Sequence, residues 1–135
     1  MSDSTPNNTE DHEANNRHIL VVDDEKAIRG LAKRILVSKG YRVTTCNGGA
    51  KAVELYSKIS DQIDLVILDM LMPDMTGIET LRLLKKTDPA VQAILCSAFV
   101  PEVDGNSISK EGFVGFIAKP FKMDALLALA QRHLK

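Results

Sequence analysis

Apolar residues along this chain fall into short blocks, and the blocks show two different periods. The blocks of one kind are mostly nearly continuous apolar runs, which are typical of parallel strands covered on both faces. One run, YRVTTC, alternates between apolar and polar residues, as expected of a strand at the edge of a sheet. The predicted strands, in chain order, are HILVV, YRVTTC, DLVIL, VQAILCS and GFVGFIAK.

The segments between these runs have apolar residues at the helical spacing. Gly40 is well placed to end the first helix and Pro89 follows the end of the third, whereas Asn47 is a plausible N-terminal cap for the second. The stretch Val100–Gly112 is a weaker helix, because Pro101, Gly105 and two serines interrupt it. The apolar positions of the four clearer helices are Ile28, Leu31, Ala32 and Ile35; Ala52, Leu55, Tyr56 and Ile59; Ile78, Leu81 and Leu84; and Met123, Leu126, Leu127, Ala130 and Leu134.

Five strands in strict alternation with five helices predict an α/β fold with a doubly wound parallel sheet. A length of 135 residues suits one domain with a single well-buried core. Hydrophobic residues make up 44% of the chain and charged residues 26%, which is ordinary for a soluble globular protein. Residues 1–17 have little to bury, so we expect a disordered acidic and polar tail followed by one domain over residues 18–135.

The formal net charge of −1 is unevenly distributed. Residues 1–17 hold four acids and one base and contribute −3, whereas residues 18–135 hold 16 bases and 14 acids and contribute +2. Neither value predicts direct binding to nucleic acid or to a membrane. We expect no membrane segment and no signal peptide. Cys46 and Cys96 lie within apolar runs and predict reduced core thiols in a cytoplasmic protein, although the sequence leaves a disulfide open.

Polar side chains follow four of the predicted strands. Each has an ordinary explanation of its own, such as a helix cap, a turn or a solvated charge. In a doubly wound sheet, however, the carboxyl ends of the strands meet at one edge, where ligands bind. We therefore expect five side chains to converge there: Asp23, Asp24, Asp69, Ser97 and Lys119.

Three neighbouring carboxylates repel one another by roughly 1 to 4 kcal/mol per pair. One ammonium group does not neutralise them, so either a carboxyl group takes up a proton or a divalent cation binds. Oxygen ligands without histidine or cysteine favour Mg²⁺ over zinc. A magnesium site with a lysine and a hydroxyl group is typical of phosphoryl transfer. This chemistry explains a charge at the end of an apolar strand if Asp69 is the nucleophile.

The motifs VVDDE, LDMLMPDMTG, LCSA and FIAKPF, in this order and spacing, resemble the receiver domains of response regulators in two-component signalling. The resemblance covers nearly all of the chain after the tail. It implies the flavodoxin-like strand order 2-1-3-4-5. It also implies that Asp69 is a phosphoacceptor, taking a phosphoryl group from a phosphohistidine on a histidine kinase or a histidine phosphotransfer protein. Such a domain would not be an enzyme but a signalling receiver that assists its own phosphorylation and dephosphorylation.

The resemblance also implies roles for the residues around Asp69. Asp24, Asp69 and the backbone carbonyl of Leu71 would bind Mg²⁺ directly, and Asp23 would act through water. Lys119 would pair with the phosphoryl oxygens. The Lys119–Pro120 bond is commonly cis in the family, which would direct the lysine inward. Two further residues would form a switch, in which Ser97 moves to bond the phosphoryl group while the aromatic residue Phe116 turns inward.

The output of that switch is expected on one face, made of the segment Val100–Gly112, the fifth strand and the last helix, where a downstream protein target would bind. The chain departs from the commonest receiver pattern at Leu71 and Phe99, which are apolar at positions that tune dephosphorylation. We also expect Val100–Gly112 to be the least protected part of the domain.

Several alternative functions compete with that of a phosphorylated receiver. A phosphatase of the haloacid-dehalogenase type needs a second carboxylate where this chain has Leu71. A flavodoxin-like cofactor site does not suit the acidic sequence DDEKA after the first strand, and no P-loop is present. The alternatives that stay open are a receiver-like interaction module that works without phosphorylation and the receiver segment of a hybrid histidine kinase.

Overall fold

The computed structural model describes residues 17–98 and 105–134. Within this part of the chain, five strands and five α-helices alternate, with one short 3-10 helix at Ser60–Gln62. The strands are β1 (His18–Val22), β2 (Arg42–Cys46), β3 (Leu65–Asp69), β4 (Ala93–Ser97) and β5 (Gly115–Ala118). The helices are α1 (Lys26–Ser38), α2 (Gly49–Ile59), α3 (Gly77–Thr87), α4 (Gly105–Glu111) and α5 (Met123–His133).

All neighbouring strands are parallel, and their order is β2-β1-β3-β4-β5. The α/β fold and the strand order 2-1-3-4-5 are therefore confirmed. The alternating strand β2 lies at one edge, as its pattern predicted. The pairing register brings the strand ends to one level, because Asp69 lies opposite Cys96, and Ser97 lies opposite Ala118.

The sheet separates two apolar clusters. Successive residues of a strand point to opposite faces, so Ile19 and Leu20 belong to different clusters. One cluster includes side chains of α1 and α5, and the other includes side chains of α2, α3 and α4. Burial on both faces explains why the central strands are continuous apolar runs. Cys46 and Cys96 are buried and unpaired, in agreement with the predicted thiols.

Some details of the helices differ from the sequence-based expectation. Leu31 is 37% exposed, because α1 buries Ala32, Ile35 and Leu36 instead. Met123 is 57% exposed at the start of α5. The prediction that Asn47 caps α2 was wrong, since the cap position is Gly48 and no side chain at that position makes the capping hydrogen bond.

Other helix boundaries agree with the signals in the sequence. The cap of α1 is Lys39, and Gly40 follows it with a φ of 96°, which suits a residue without a side chain. Helix α3 ends at Thr87, before Pro89. At its start, Thr76 and Glu79 form a reciprocal capping box, a pattern that the sequence displays as Thr-x-x-Glu.

Helix α4 is short and is attached to α3 at its carboxyl end. The Arg82 guanidinium donates two hydrogen bonds to the Glu111 carboxylate, at 3.1 Å and 2.9 Å. Lys85 Nζ donates to the backbone oxygen of Glu111 at 3.0 Å. Gly112, which follows α4, has a φ of 106°. Gly105 is the first residue of this helix and not an interior one, so it does not interrupt the helix as the sequence suggested.

Two predictions fall partly outside the described residues. These are the tail, except for Arg17, and the beginning of the Val100–Gly112 segment, with Phe99 just before it. In the part of the chain that the structure describes, no helix has the length and apolar character required to span a membrane.

Candidate functional site

The carboxyl edge of the sheet brings together most of the residues that the sequence singled out. Asp23 follows β1, Asp69 and Ser97 are the last residues of β3 and β4, and Lys119 follows β5. Asp23, Asp69 and Ser97 are at most 5% exposed, and the Lys119 side chain is 7% exposed. Asp24 lies at the same edge and is exposed. This is the convergence that parallel strands impose on residues following their carboxyl ends.

Asp23 is fixed by its backbone and its side chain. Its N–H donates to the carbonyl oxygen of Cys46 at 3.1 Å, which ties it to the end of β2. Its Oδ1 accepts a hydrogen bond from the Glu25 N–H at 2.9 Å, and its carbonyl oxygen accepts one from Arg29 Nη1 at 2.8 Å. The buried carboxylate therefore has little freedom to turn away from the site.

Lys119 lies among three carboxylates. Its Nζ is 2.6 Å from Asp23 Oδ2, 3.3 Å from Asp69 Oδ1 and 3.3 Å from Glu25 Oε1. Burial acts to lower the pKa of Lys119, but the hydrogen bond to Asp23 and the charges of Asp23 and Asp69 outweigh it, so that the pKa is raised. The ammonium group is thus held charged beside Asp69. The Lys119–Pro120 bond is cis, as expected, and the Lys119 N–H donates to the Ser97 carbonyl oxygen at 3.0 Å.

Asp69 has an unusual protonation equilibrium for an aspartate. Burial is the main cause that raises its pKa to about 6, and the negative charge of Asp23 adds to this effect. The charge of Lys119 and its hydrogen bond act in the opposite direction but do not cancel it. A carboxyl group near the sheet edge with a raised pKa is a candidate for chemistry.

The carboxylate oxygens of Asp23, Asp24 and Asp69 come close enough to share a cation. One oxygen from each residue lies within 4.8 Å of the other two. The donor set consists of oxygen atoms, which Mg²⁺ prefers, and magnesium usually retains several waters beside one or two carboxylates. The residues therefore fit a hydrated magnesium ion. Leu71, whose carbonyl was predicted as a further ligand, lies in the loop after β3 and is 57% exposed.

The loop that connects β3 to α3, residues 70–76, is held at several points. The Gly77 N–H donates to the Met70 carbonyl oxygen at 2.8 Å. A Cβ atom at Gly77 would lie 2.6 Å from the backbone oxygen of Asp69, so this position has no room for a side chain. Asp74 accepts hydrogen bonds from the N–H groups of Gly49 and Ala50, at 3.2 Å and 2.8 Å. These bonds, above all the one from Ala50, lower the pKa of Asp74.

Phe116 lies on β5 and packs, half-buried, against the apolar cluster under α2, α3 and α4. It is paired with Leu95 on β4, two residues before Ser97. The predicted switch pair therefore occupies neighbouring strands. The movement of Ser97 and Phe116 stays a prediction.

The sequence-family comparison connects this geometry with a known group of proteins. The family model described as the response regulator receiver domain matches residues 19–131. The chain belongs to the receiver domain family. This establishes the resemblance noted in its motifs, and receiver domains are signalling modules of two-component systems that bind Mg²⁺ at an acidic pocket.

Individual relatives show how far the likeness extends. The receiver is 38% identical over 117 residues to the chemotaxis protein CheY of Bacillus subtilis, covering 86% of this chain and 96% of that protein. It is 32% identical over 117 residues to the sensor kinase CckA of Brucella abortus, covering 87% of this chain but 12% of the kinase. Among solved structures, it is similar to the response regulator TrrA of Thermotoga maritima in complex with Mg²⁺ and BeF, with a TM-score of 0.76, 32% identity, and coverage of 88% of this chain and 99% of that one.

Two residues of the site were not anticipated from the sequence. Glu25 contacts Lys119 and directly follows the two predicted acids, so its place beside the strand end could have been noticed. Asp74 contacts α2 from a loop that lies 24 and 25 residues further along the chain than its two partners. Neither periodicity nor a local motif indicates such a contact.

Proposed function

We propose that this receiver accepts a phosphoryl group on Asp69 from a phosphohistidine of a histidine kinase or a phosphotransfer protein. The observation that carries the proposal is the buried Asp69 carboxyl group, 3.3 Å from the Lys119 ammonium and within reach of two further carboxylates. In the transfer, an Asp69 oxygen forms a bond to phosphorus while the phosphorus–nitrogen bond of the phosphohistidine breaks. The product is an acyl phosphate.

Lys119 and the acid cluster support this step in different ways. The Lys119 ammonium would pair with phosphoryl oxygens and offset their negative charge. Asp24, Asp69 and the Leu71 carbonyl would hold Mg²⁺, with Asp23 acting through water. When bound, magnesium neutralises charge on the phosphoryl oxygens. The domain thereby assists its own phosphorylation and, with water as the nucleophile, its own dephosphorylation.

The consequence of phosphorylation would be a change on the face made of α4, β5 and α5. Phosphorylation adds about −1.5 to −2 charges at the carboxyl edge of the sheet. Ser97 would move to the phosphoryl oxygens, Phe116 would turn inward, and a downstream protein target would bind the altered face. The proposal is the same whether the receiver acts alone or as a segment of a hybrid histidine kinase.

The test is phosphorylation by a small phosphodonor. With Mg²⁺ and acetyl phosphate, the wild type should gain one phosphoryl group that is acid-labile and sensitive to hydroxylamine, as measured by intact-mass spectrometry. Asp69→Asn should gain none, because an amide is a poor nucleophile and offers no anionic ligand. Asp24→Ala keeps the nucleophile but should need more Mg²⁺ for the same rate.

Three outcomes would contradict the proposal. The first is a stable phosphate on Ser97, the second is labelling of Asp69→Asn equal to that of the wild type, and the third is no labelling of the wild type. A module that works without phosphorylation would show no labelling of the wild type under any of these conditions.

A further inference from the structure

Helix α2 begins without a cap from its own sequence. Its cap position is Gly48, which makes no side-chain hydrogen bond, and its first turn has no acidic residue. The first N–H groups of a helix need acceptors, and a negative charge near them is stabilising. Asp74 fills both needs, because its two carboxylate oxygens accept from the N–H groups of Gly49 and Ala50.

Asp74 belongs to the same loop as the predicted metal ligand. It lies five residues after Asp69 and three after Leu71. Its Oδ1 also accepts from the Met75 N–H at 3.0 Å, so the bonds to α2 fix the loop backbone as well as the side chain. Together with the Gly77 N–H bond to Met70, they hold the loop in its middle and at its end.

The packing around these hydrogen bonds is close. A Cβ atom at Gly48 would lie 2.9 Å from Asp74 Oδ2. A Cβ atom at Gly49 would meet the side chains of Met75 and Thr80. The start of α2 and the loop are therefore in direct contact, and a shift of one requires a shift of the other.

We propose that Asp74 is a positioning residue for the phosphorylation site, acting by fixing the loop 70–76 to the start of α2. The inference rests on the proposed function of Asp69. Its physical basis is that Leu71 would bind Mg²⁺ through its backbone carbonyl, which cannot be reoriented by rotating a side chain. The direction of a carbonyl is set by the backbone, and hence by whatever holds the loop.

The experiment compares wild type with Asp74→Ala, Asp74→Asn and a control, Asp61→Ala. Asp61 is an exposed acid in the 3-10 helix at the opposite end of α2. Mg²⁺ affinity is measured by calorimetry without a phosphodonor, the phosphorylation rate with acetyl phosphate, and amide exchange at Gly49 and Ala50 by NMR.

In Asp74→Ala, exchange at Gly49 and Ala50 should become faster, Mg²⁺ affinity should fall about tenfold, as for other residues that orient metal ligands, and the phosphorylation rate should fall with it. Asp74→Asn keeps one acceptor oxygen and should lie between Asp74→Ala and the wild type. Asp61→Ala should match the wild type in all three measurements.

The outcomes separate this inference from the function on which it rests. If the wild type neither binds Mg²⁺ nor takes up phosphate on Asp69, the proposed function is wrong. If the wild type does both and Asp74→Ala changes only the exchange of the two amides, Asp74 is a helix cap alone and the inference is overturned. If Asp74→Ala does not fold, the decision passes to Asp74→Asn, whose unchanged Mg²⁺ affinity would equally overturn it.

Discussion

Asp69 is buried and lies beside a second buried carboxyl group, that of Asp23, and both conditions disfavour its ionised form in the folded protein. Burial, and then the charge of Asp23, raises the pKa of Asp69 from an ordinary 3.8 to about 6. Between these two values, the folded state binds more protons at Asp69 than the unfolded state does. The destabilising effect of Asp69 is therefore smallest below about pH 4, grows as the pH rises, and is largest above about pH 6.

This sign predicts how Asp69→Asn should alter stability in the absence of divalent cations. Above pH 7 the variant should be more stable than wild type by about 1 to 3 kcal/mol, and the difference should shrink towards zero near pH 4. The measurement is urea unfolding in EDTA at several pH values. Asp61→Asn, at an exposed position, is the matched control and should show no such pH-dependent gain. A gain for Asp69→Asn that is independent of pH would contradict the electrostatic explanation.

The sequence predicts the contacts of some residues of the site but not those of others. Asp23, Asp69, Ser97 and Lys119 could be predicted to meet, because strand ends in a parallel sheet share one edge. Asp74 could not, because its contact depends on how the loop after β3 lies against α2. The apolar residue Leu71 has no signal of its own for metal binding, and its predicted role comes only from the family resemblance.

Glycines in two helices give a test at the scale of the element. Gly30 lies inside α1, is exposed, and has no atom within 4 Å of an added Cβ. Gly77 begins α3, where an added Cβ would lie 2.6 Å from the Asp69 backbone oxygen. Gly30→Ala should stabilise the protein by about 0.5 to 1 kcal/mol, whereas Gly77→Ala should destabilise it by roughly 1 to 3 kcal/mol.

Both changes add the same methyl group at a helical residue, so each is the control for the other. Thermal and urea unfolding give the stabilities. Gly77→Ala should also weaken Mg²⁺ binding, because the backbone of Asp69 must move. A stable Gly77→Ala with unchanged Mg²⁺ affinity would show that the loop yields without disturbing the site.

The elements themselves were largely predictable from the sequence. The central strands announce themselves as unbroken apolar runs, since both of their faces are buried. Helix boundaries were predictable where the stop signal is local, as at Gly40 and Pro89. The start of α2 was not, because its cap is supplied by Asp74 from a distant loop rather than by Asn47.

At the scale of the whole molecule, the proposed switch predicts where protection against hydrogen exchange should change. Beryllofluoride with Mg²⁺ mimics a phosphoryl group on Asp69. Its addition should alter exchange mainly in Val100–Phe116 and in the loops around Asp69 and Ser97, and Val100–Gly112 should be the least protected segment beforehand. The physical reason is that a ligand shifts an element only if that element has two arrangements that differ in affinity for it.

Asp69→Asn, which lacks the anionic oxygen that would bind beryllium, is the control and should show no change. Lys119→Ala should bind the mimic to some degree but fail to transmit the effect to β5. A response confined to α1 and α2, or to the acid cluster alone, would place the output face elsewhere.

The order of the strands marks the limit of what periodicity can supply. Alternating strands and helices predict a doubly wound sheet, but several orders satisfy the same pattern. The order 2-1-3-4-5 was implied by the motifs around Asp69 and Lys119, and only the edge position of β2 had support from its own alternation.

The hydrogen bonds from Arg82 and Lys85 to Glu111 have a mechanical consequence for the proposed signal. They hold the carboxyl end of α4 against α3, so that this end would stay in place if the helix tilted. A helix of this length is about 10 Å long, so a tilt about the fixed end would move the opposite end the most. The face made of α4, β5 and α5 would then change by rotation of α4. The largest displacement would be at the amino end of α4, which is the end nearest to Ser97 in the chain.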